Sequence, residues 1–145
     1  MNLNGQIIVI DDDVEDLDII KEVLEDVIAE NSFANEIITF DNGEDTLKYL
    51  REMPFAPFLI ISDINMPRMN GFQIRQTVFD DPPLRQKCAP YIFLTTSGDN
   101  TAFMRQSYEM SIQGYFTKPN DYTAYHQLLT DILRYWKVAK LANRI

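Results

Sequence analysis

The 145-residue chain has little of what disulfides, membrane spans and nucleic-acid surfaces are made from. Its only cysteine, Cys88, cannot form an internal disulfide. No His or Lys motif surrounds Cys88, which makes it a poor candidate nucleophile. No apolar run approaches the roughly 20 residues that a membrane-spanning helix needs, and no signal pattern opens the chain. These absences predict a cytoplasmic protein with a reduced thiol.

Positive charge is also scarce. Thirteen Lys and Arg residues stand against 22 Asp and Glu residues, which gives a formal net charge of -9. Nucleic-acid binding depends on neutralising phosphates with basic side chains, so this balance disfavours nucleic acid and anionic membranes as partners. It suits a metal cation or a basic face on a protein partner. The length fits one domain, residues 1–145.

Short apolar runs alternate with amphipathic stretches along the chain. Runs at residues 7–10, 58–61 and 91–94 indicate strands buried on both faces, as in a parallel sheet. Short strands are also predicted at 36–40 and 114–117. The stretches between them have the spacing of helices, and the last helix is predicted from about 122 to 143. Five successive β-α units predict an α/β fold with a doubly wound, five-stranded parallel sheet.

Polar residues follow four of these strands. They are Asp11, Asp12 and Asp13 after the first strand, then Asp63, then Thr95 and Thr96, and finally Lys118. The carboxyl ends of parallel strands share one edge, so these side chains should converge there. Clustered carboxylates repel one another without a cation, and oxygen ligands suit Mg²⁺.

This charge arrangement indicates phosphoryl chemistry. The site has three negative charges, on Asp11, Asp12 and Asp63, and one positive charge, on Lys118. The net charge is about −2, which Mg²⁺ would cancel before a phosphoryl group arrives. Asp63 is the candidate nucleophile, because carboxylates form acyl phosphates. Mg²⁺ and Lys118 would stabilise the charge on the transferred oxygens, and Thr95 would supply a hydroxyl donor.

Taken together, these motifs resemble the receiver domain of bacterial two-component response regulators, and the resemblance covers nearly the whole chain. The matching segments are residues 7–13, 63–67 with Asn70 and Gly71, 94–97 and 114–119. Each motif alone is weak, but all four occur in order at the ends of successive predicted strands. The resemblance implies a CheY-like, flavodoxin-like (βα)5 fold with strand order 2-1-3-4-5.

The resemblance also implies how phosphate and metal are held. Asp63 would accept phosphate from a phosphohistidine on a sensor histidine kinase. Asp12 would bind Mg²⁺ directly together with Asp63, and Asp11 would act largely through water. The backbone carbonyl of Asn65 would be the third protein ligand. Asn65 and Ser97 flank the site and could tune hydrolysis of the phosphoryl group.

The remaining implied roles concern the switch. Thr95 would hydrogen-bond the phosphoryl group, and Tyr115 would change its rotamer in response. Lys118 would pair with a phosphoryl oxygen, and the Lys118–Pro119 peptide bond would be cis. Asp13 is expected to lead into the first helix rather than to bind metal. Asp16 is expected to be one of the acids that the helix dipole favours.

Three other functions are open at this point. A haloacid dehalogenase-type phosphatase would need a second Asp two residues after the nucleophile, and position 65 is Asn. A receiver-like scaffold could bind a partner without phosphorylation. A small-molecule enzyme is disfavoured because no glycine-rich phosphate loop is visible.

The expected output is protein contact, since nothing in the sequence after the receiver motifs could bind DNA or catalyse a reaction. We expect a single-domain regulator, not an enzyme, that acts on a downstream protein or in a phosphorelay. Val138, Leu141 and Ile145 form an apolar stripe separate from the core-facing side of the last helix. We expect these residues to overhang the sheet, either as a frayed tail or as a contact with a partner or a second copy in a homodimer.

Overall fold

The computed structural model describes residues 3–144 and contains a five-stranded parallel sheet in the order β2-β1-β3-β4-β5. This confirms the predicted α/β fold and strand order. The strands are β1 Ile7–Ile10, β2 Ile37–Phe40, β3 Leu59–Ser62, β4 Tyr91–Thr95 and β5 Gly114–Thr117. The helices are α1 Val14–Glu30, α2 Gly43–Glu52, α3 Gly71–Asp80, α4 Pro82–Lys87, α5 Thr101–Glu109 and α6 Tyr122–Val138. Across residues 3–144, no helix combines the length and apolar character needed to cross a bilayer.

Side chains along each strand alternate between the two faces of the sheet, and this divides the core into two layers. In β1, Ile7 and Val9 pack on one side of the sheet with α1 and α6. Ile8 and Ile10 pack on the other side with α2, α3, α4 and α5. Successive strand side chains point to opposite faces, so a sheet covered on both faces needs apolar residues at every position. This two-sided burial explains the unbroken apolar runs in the sequence.

The segment between α3 and β4 is partly helical. It contains the short helix α4, whose one buried residue is Leu84. Asp81 caps α4 by accepting a hydrogen bond from the Leu84 backbone N–H. Pro82 and Pro83 end α3 because proline cannot continue a helix, yet proline is well suited to the first turn of the next one. The prolines therefore separate two helices.

The predicted helix from 122 to 143 is too long, because α6 ends at Val138 and Ala139 is extended. The Lys137 ammonium group donates to the Leu3 carbonyl at 2.6 Å and to Asn35 at 2.7 Å, which holds the last turn against the N-terminal segment. The chain then turns back, and the Asn143 amide donates to the carbonyls of residues 86, 87 and 89.

The expectation of an overhanging stripe is therefore wrong for Leu141. It stays a prediction for Ile145. Leu141 packs against the core layer that contains α6, because the chain leaves the helix before it. Val138 is exposed. Ile145 lies outside the described residues.

The start of α3 packs against the backbone of the predicted phosphoacceptor. The Gly71 N–H donates to the Ile64 carbonyl at 2.8 Å. A Cβ atom on Gly71 would lie 2.2 Å from the Asp63 carbonyl oxygen. Asn70 and Gln73 form a capping box that fixes this helix end. Glycine at position 71 thus allows α3 to approach the Asp63 backbone closely.

Replacing Gly71 with alanine should cost about 1–3 kcal/mol of stability, the range typical of overpacking against immobile atoms. Gly43→Ala is the matched control, because its added Cβ would meet side-chain atoms of Met69 and Ile74, and a methionine side chain can move. Urea unfolding of the wild type and both variants measures the difference. Equal losses for the two variants would show that the approach to Asp63 imposes no special constraint.

Candidate functional site

Asp11 and Asp63 lie side by side because the strands that they follow are neighbours. β1 and β3 pair in parallel with Ile10 opposite Ser62. The Asp63 N–H donates to the Ile10 carbonyl at 2.9 Å, which continues the pairing by one residue. Carboxylate oxygens of Asp11, Asp12 and Asp63 lie within 4.8 Å of one another. The structure thus brings together the three acids that the sequence places at this edge.

The three acids differ in their exposure to solvent. Asp11 is 1% exposed and Asp63 is 8% exposed, while Asp12 is open to solvent. Oδ1 of Asp11 accepts the Asp13 N–H at 3.0 Å, and Oδ1 of Asp63 accepts the Ile64 N–H at 2.7 Å. These backbone contacts orient each buried carboxylate and leave its second oxygen facing the site.

Lys118 supplies the positive charge at this edge. Its Nζ lies 2.6 Å from Oδ2 of Asp11 and 3.3 Å from Oδ2 of Asp63. It also lies 2.7 Å from Oδ2 of Asp16, an acid on α1. The backbone N–H of Lys118 donates to the Thr95 carbonyl at 2.9 Å, which connects the end of β5 to β4. Lys118 is therefore in contact with three carboxylates.

Burial decides the direction of the pKa shift of Asp11 but not that of Lys118. Burial raises the pKa of Asp11 to about 6, although the hydrogen bonds from Lys118 and Asp13 act in the opposite direction. Burial lowers the pKa of Lys118, but hydrogen bonds to Asp11 and Asp16 outweigh it, and the net shift is upward. The number of partners explains this difference, because the ammonium faces three anions while Asp11 faces one cation and the neighbouring Asp63. Negative charge is in excess here, a condition that a divalent cation would relieve.

Ser97 connects the other polar residues near the site. Oγ1 of the buried Thr95 accepts the Ser97 N–H at 3.2 Å. The Tyr115 hydroxyl donates to the Ser97 carbonyl at 2.8 Å, and the Asn65 amide donates to the Ser97 hydroxyl at 2.9 Å. The sequence indicated only that Asn65 and Ser97 flank the site. The structure makes Ser97 the link between Thr95 and Tyr115.

Asp13 and Asp16 have distinct positions at the start of α1. Asp13 is the N-cap, and its side chain accepts the N–H groups of Glu15 and Asp16. This confirms that Asp13 leads into the helix. The contact of Asp16 with Lys118 was not predicted. Helical side chains lean toward the N-terminus, so an acid in the first turn after a strand-end site can reach back to it. That spacing was the available signal.

Two other reactive side chains lie away from this edge. Cys88 is fully buried, and burial raises the pKa of its thiol to about 12. A protonated, inaccessible thiol is a poor nucleophile, in agreement with the sequence analysis. His126 on α6 contacts Glu30 on α1, with Nε2 2.5 Å from the carboxylate oxygen.

The expected cis bond before Pro119 is wrong. The Lys118–Pro119 peptide is trans, and the cis bond in the described part of the chain is Ala89–Pro90. Lys118 reaches all three of its carboxylate partners with this trans bond.

Comparison with known proteins identifies the family of this chain. A family model described as the response regulator receiver domain matches residues 7–130. A probable chemotaxis protein CheY from Rhizobium etli is 30% identical over 114 residues, which cover 79% of this chain and 81% of the relative. Response regulator Rcp1 from Synechocystis sp. is 25% identical over 128 residues, which cover 85% of each chain.

A solved structure agrees with these sequence relatives. The phosphorylated cyanobacterial phytochrome response regulator RcpA matches with a TM-score of 0.82 and 26% identity, covering 96% of this chain and 99% of that chain. The family match includes all five strands and the four strand-end motifs. The chain therefore belongs to the response regulator receiver domains of two-component signalling.

Proposed function

We propose that this receiver accepts a phosphoryl group on Asp63 from a phosphohistidine of a sensor histidine kinase. The orientation of Asp63 carries the proposal. Its Oδ1 is held by the Ile64 N–H at 2.7 Å, and its Oδ2 faces Lys118 at 3.3 Å beside the carboxylate of Asp11. A carboxylate fixed in this way is ready to attack, with a cation in place for the group that it receives.

The proposed reaction moves one phosphoryl group between two side chains. A carboxylate oxygen of Asp63 attacks the phosphorus, and a P–O bond forms as the P–N bond of the donor breaks. The electron pair of the broken bond stays on the imidazole. Lys118 pairs with an oxygen of the transferred group and stabilises its charge. The Ile64 N–H keeps the Asp63 carboxyl group oriented throughout.

The acids at this edge fit Mg²⁺, which prefers oxygen ligands. The exposed Asp12 is free to turn toward a cation, which supports its assignment, with Asp63, as a direct ligand. Asp11 is already held by Lys118 and the Asp13 N–H, which supports a role through water. The carbonyl of Asn65 is the proposed third protein ligand. Bound Mg²⁺ would neutralise the carboxylates and stabilise the transferred oxygens.

The signal would leave the site through Thr95 and Tyr115. An anionic phosphoryl oxygen on Asp63 is a stronger acceptor for the Thr95 hydroxyl than a neutral group. As Thr95 turns toward it, the Ser97 N–H loses its present acceptor. Tyr115 is bonded to the carbonyl of the same serine, so its position would change too. Phosphorylation would thereby shift a two-state equilibrium at the β4 and β5 ends.

The proposed partners are a sensor histidine kinase and a downstream protein or phosphotransfer partner. The relatives are named for chemotaxis and for phytochrome response, which supports signalling through protein contact rather than catalysis on a small molecule. A cytoplasmic location forms part of the proposal, because a free thiol such as Cys88 stays reduced there.

The phosphatase alternative lacks its acid/base Asp. Asn65 stands where the acid/base Asp would be needed, and its amide bonds to Ser97. The phosphorylation-independent scaffold is separated from the proposed function by experiment.

Acetyl phosphate with Mg²⁺ should add one phosphoryl group to the wild-type protein, as measured by intact mass. The adduct should be absent from Asp63→Asn, which lacks the nucleophile. It should also be absent without Mg²⁺, because the acidic site then repels the donor.

An acyl phosphate can hydrolyse quickly, so beryllofluoride is the control for a blank result. It should shift the NMR signals of Thr95 and Tyr115 in the wild type but not in Asp63→Asn. If neither reagent produces an Mg²⁺-dependent change, the scaffold alternative replaces the proposed function.

The buried Asp11 carboxylate should make the metal-free protein less stable as pH rises. Its folded pKa of about 6 lies above the ordinary value of about 3.9, so the folded state binds the extra proton between these values. The stabilising effect of this bound proton is present below pH 4 and is lost as pH rises through 6. Asp11→Asn should therefore gain up to roughly 3 kcal/mol on the wild type between pH 4 and pH 7.5.

Urea unfolding in EDTA at both pH values measures this gain. Asp18→Asn on the exposed face of α1 is the control, and it should show a much smaller difference between the two pH values. A stability difference between Asp11→Asn and the wild type that does not change with pH would contradict the explanation.

A second copy of the chain is the proposed occupant of the exposed face of α6. Tyr135 and Val138 are 61% and 75% exposed. Beside Tyr135 lies a largely apolar groove of about 470 Å³ whose lining includes Phe116 and Leu128. Apolar surface of this kind, grouped in one place, is typical of interaction sites.

Val138→Asp should weaken this homodimer by placing a carboxylate in an apolar contact. Light scattering across a concentration series should show dimers for the wild type and monomers for the variant. Val14→Asp is the matched control, because Val14 is similarly exposed but lies at the start of α1. Truncation after Trp136 would be less informative, since it also removes the contacts of Lys137. A wild type that stays monomeric would exclude the homodimer.

A further inference from the structure

We propose that Asp16 is a positioning residue that draws the Lys118 ammonium group away from Asp63 and thereby slows phosphoryl uptake. This inference rests on the proposed function, because it concerns the rate at which Asp63 is phosphorylated. Asp16 lies outside the group of three acids that could hold a cation. Its carboxylate contacts the Lys118 ammonium group at 2.7 Å.

The distances around Lys118 carry the inference. Its Nζ lies 2.6 Å from Asp11, 2.7 Å from Asp16 and 3.3 Å from Asp63. An ammonium group has three N–H donors, and three carboxylates occupy them. The contact with the phosphoacceptor is the longest of the three. In the resting protein, the lysine is thus held more closely by the two acids that do not accept phosphate.

The start of α1 holds Asp16 in this position. Asp13 caps the helix by accepting the N–H groups of Glu15 and Asp16, which fixes the backbone at this turn. The side chain of Asp16 is 29% exposed, so it keeps part of its hydration. The helix dipole also favours a negative charge in the first turn. Asp16 is therefore held at the start of α1 with its carboxylate partly in solvent, while Asp11 is deeply buried.

Asp16 also lines a cleft. This cleft of about 510 Å³ lies between α1 and the segment after β5, and its lining includes Asp16, Ile19, Lys118 and Tyr122. The carboxylate thus has room to leave Lys118 without disturbing the core. This arrangement lets the lysine exchange Asp16 for a phosphoryl oxygen on Asp63.

The negative charge of Asp16 should slow phosphoryl uptake, as its contact with Lys118 does. Mg²⁺ would offset the charge that Asp11, Asp12 and Asp63 leave after pairing with Lys118. Asp16 adds one further negative charge close to the place where an anionic donor must arrive, and like charges repel. Removing this charge should both free Lys118 and ease the approach of the donor.

Asp16→Asn should raise the maximal rate of phosphoryl uptake roughly three- to tenfold, the effect expected when one partly solvent-screened hydrogen bond no longer competes. The rate is measured by intact mass over a series of acetyl phosphate concentrations at saturating Mg²⁺. Asp18→Asn makes the same charge change on an exposed position of the same helix, and its rate should stay close to that of the wild type. Asp16→Glu restores a carboxylate and should return the rate toward the wild-type value.

NMR of the Lys118 side-chain ammonium group gives a readout that does not depend on phosphorylation. Its ¹⁵N signal should shift in Asp16→Asn and stay unchanged in Asp18→Asn. A thermal unfolding midpoint close to that of the wild type would exclude general loosening of the fold as the cause of a faster rate.

The outcomes separate the two proposals. If the wild type is phosphorylated but Asp16→Asn is no faster than Asp18→Asn, the inference about Asp16 fails and the proposed function stands. An unchanged Lys118 signal in Asp16→Asn also overturns the inference. If the wild type takes up no phosphoryl group and does not respond to beryllofluoride, the proposed function fails, and a shifted Lys118 signal would then establish only a structural contact.

Discussion

The excess of negative charge around Lys118 is the constraint on which the arrangement of this edge depends. Asp11 and Asp63 are buried, and burying a carboxylate is unfavourable unless it is paired and hydrogen-bonded. Each has one backbone N–H and a share of one ammonium group. The raised pKa of Asp11 shows that these contacts do not fully offset its burial. The resting site is therefore held together by the fold around it, and added positive charge would stabilise it.

The fold supplies that support through ordinary sheet geometry, which is why so much of it was predictable. A strand covered on both faces must be apolar throughout, so β1, β3 and β4 stand out as short apolar runs. Polar residues directly after such runs must lie at the carboxyl edge of the sheet. The pairing of β1 with β3 then brings Asp11 and Asp63 together. The group of three acids follows from this pattern, whereas the strand order was implied by the resemblance to receiver domains.

Features that depend on side-chain direction or on distant contacts were not predictable in the same way. Asp16 looks like any acid in a first helical turn until the backward lean of its side chain toward Lys118 is considered. The short helix α4 is hidden by Pro82 and Pro83, which signal the end of one helix and the beginning of another equally well. The end of α6 depends on Asn35 and on the carbonyls near Cys88, residues remote in sequence from Lys137 and Asn143. No local pattern near residue 138 could reveal them.

Ser97 shows why a small change at Asp63 could be felt at a distance. Its N–H, carbonyl and hydroxyl are each bonded to a different residue, namely Thr95, Tyr115 and Asn65. Thr95 and Tyr115 do not need to touch in order to be coupled, because both depend on the position of one backbone segment. Asn65 follows Asp63 by two residues, so the loop after β3 is tied to the same segment. If Thr95 turns toward a phosphoryl group, the segment loses one bond, and its bonds to Asn65 and Tyr115 must adjust together. The coupling thus lies in a shared backbone segment, and movement of Lys118 away from Asp16 would accompany it at the opposite side of the site.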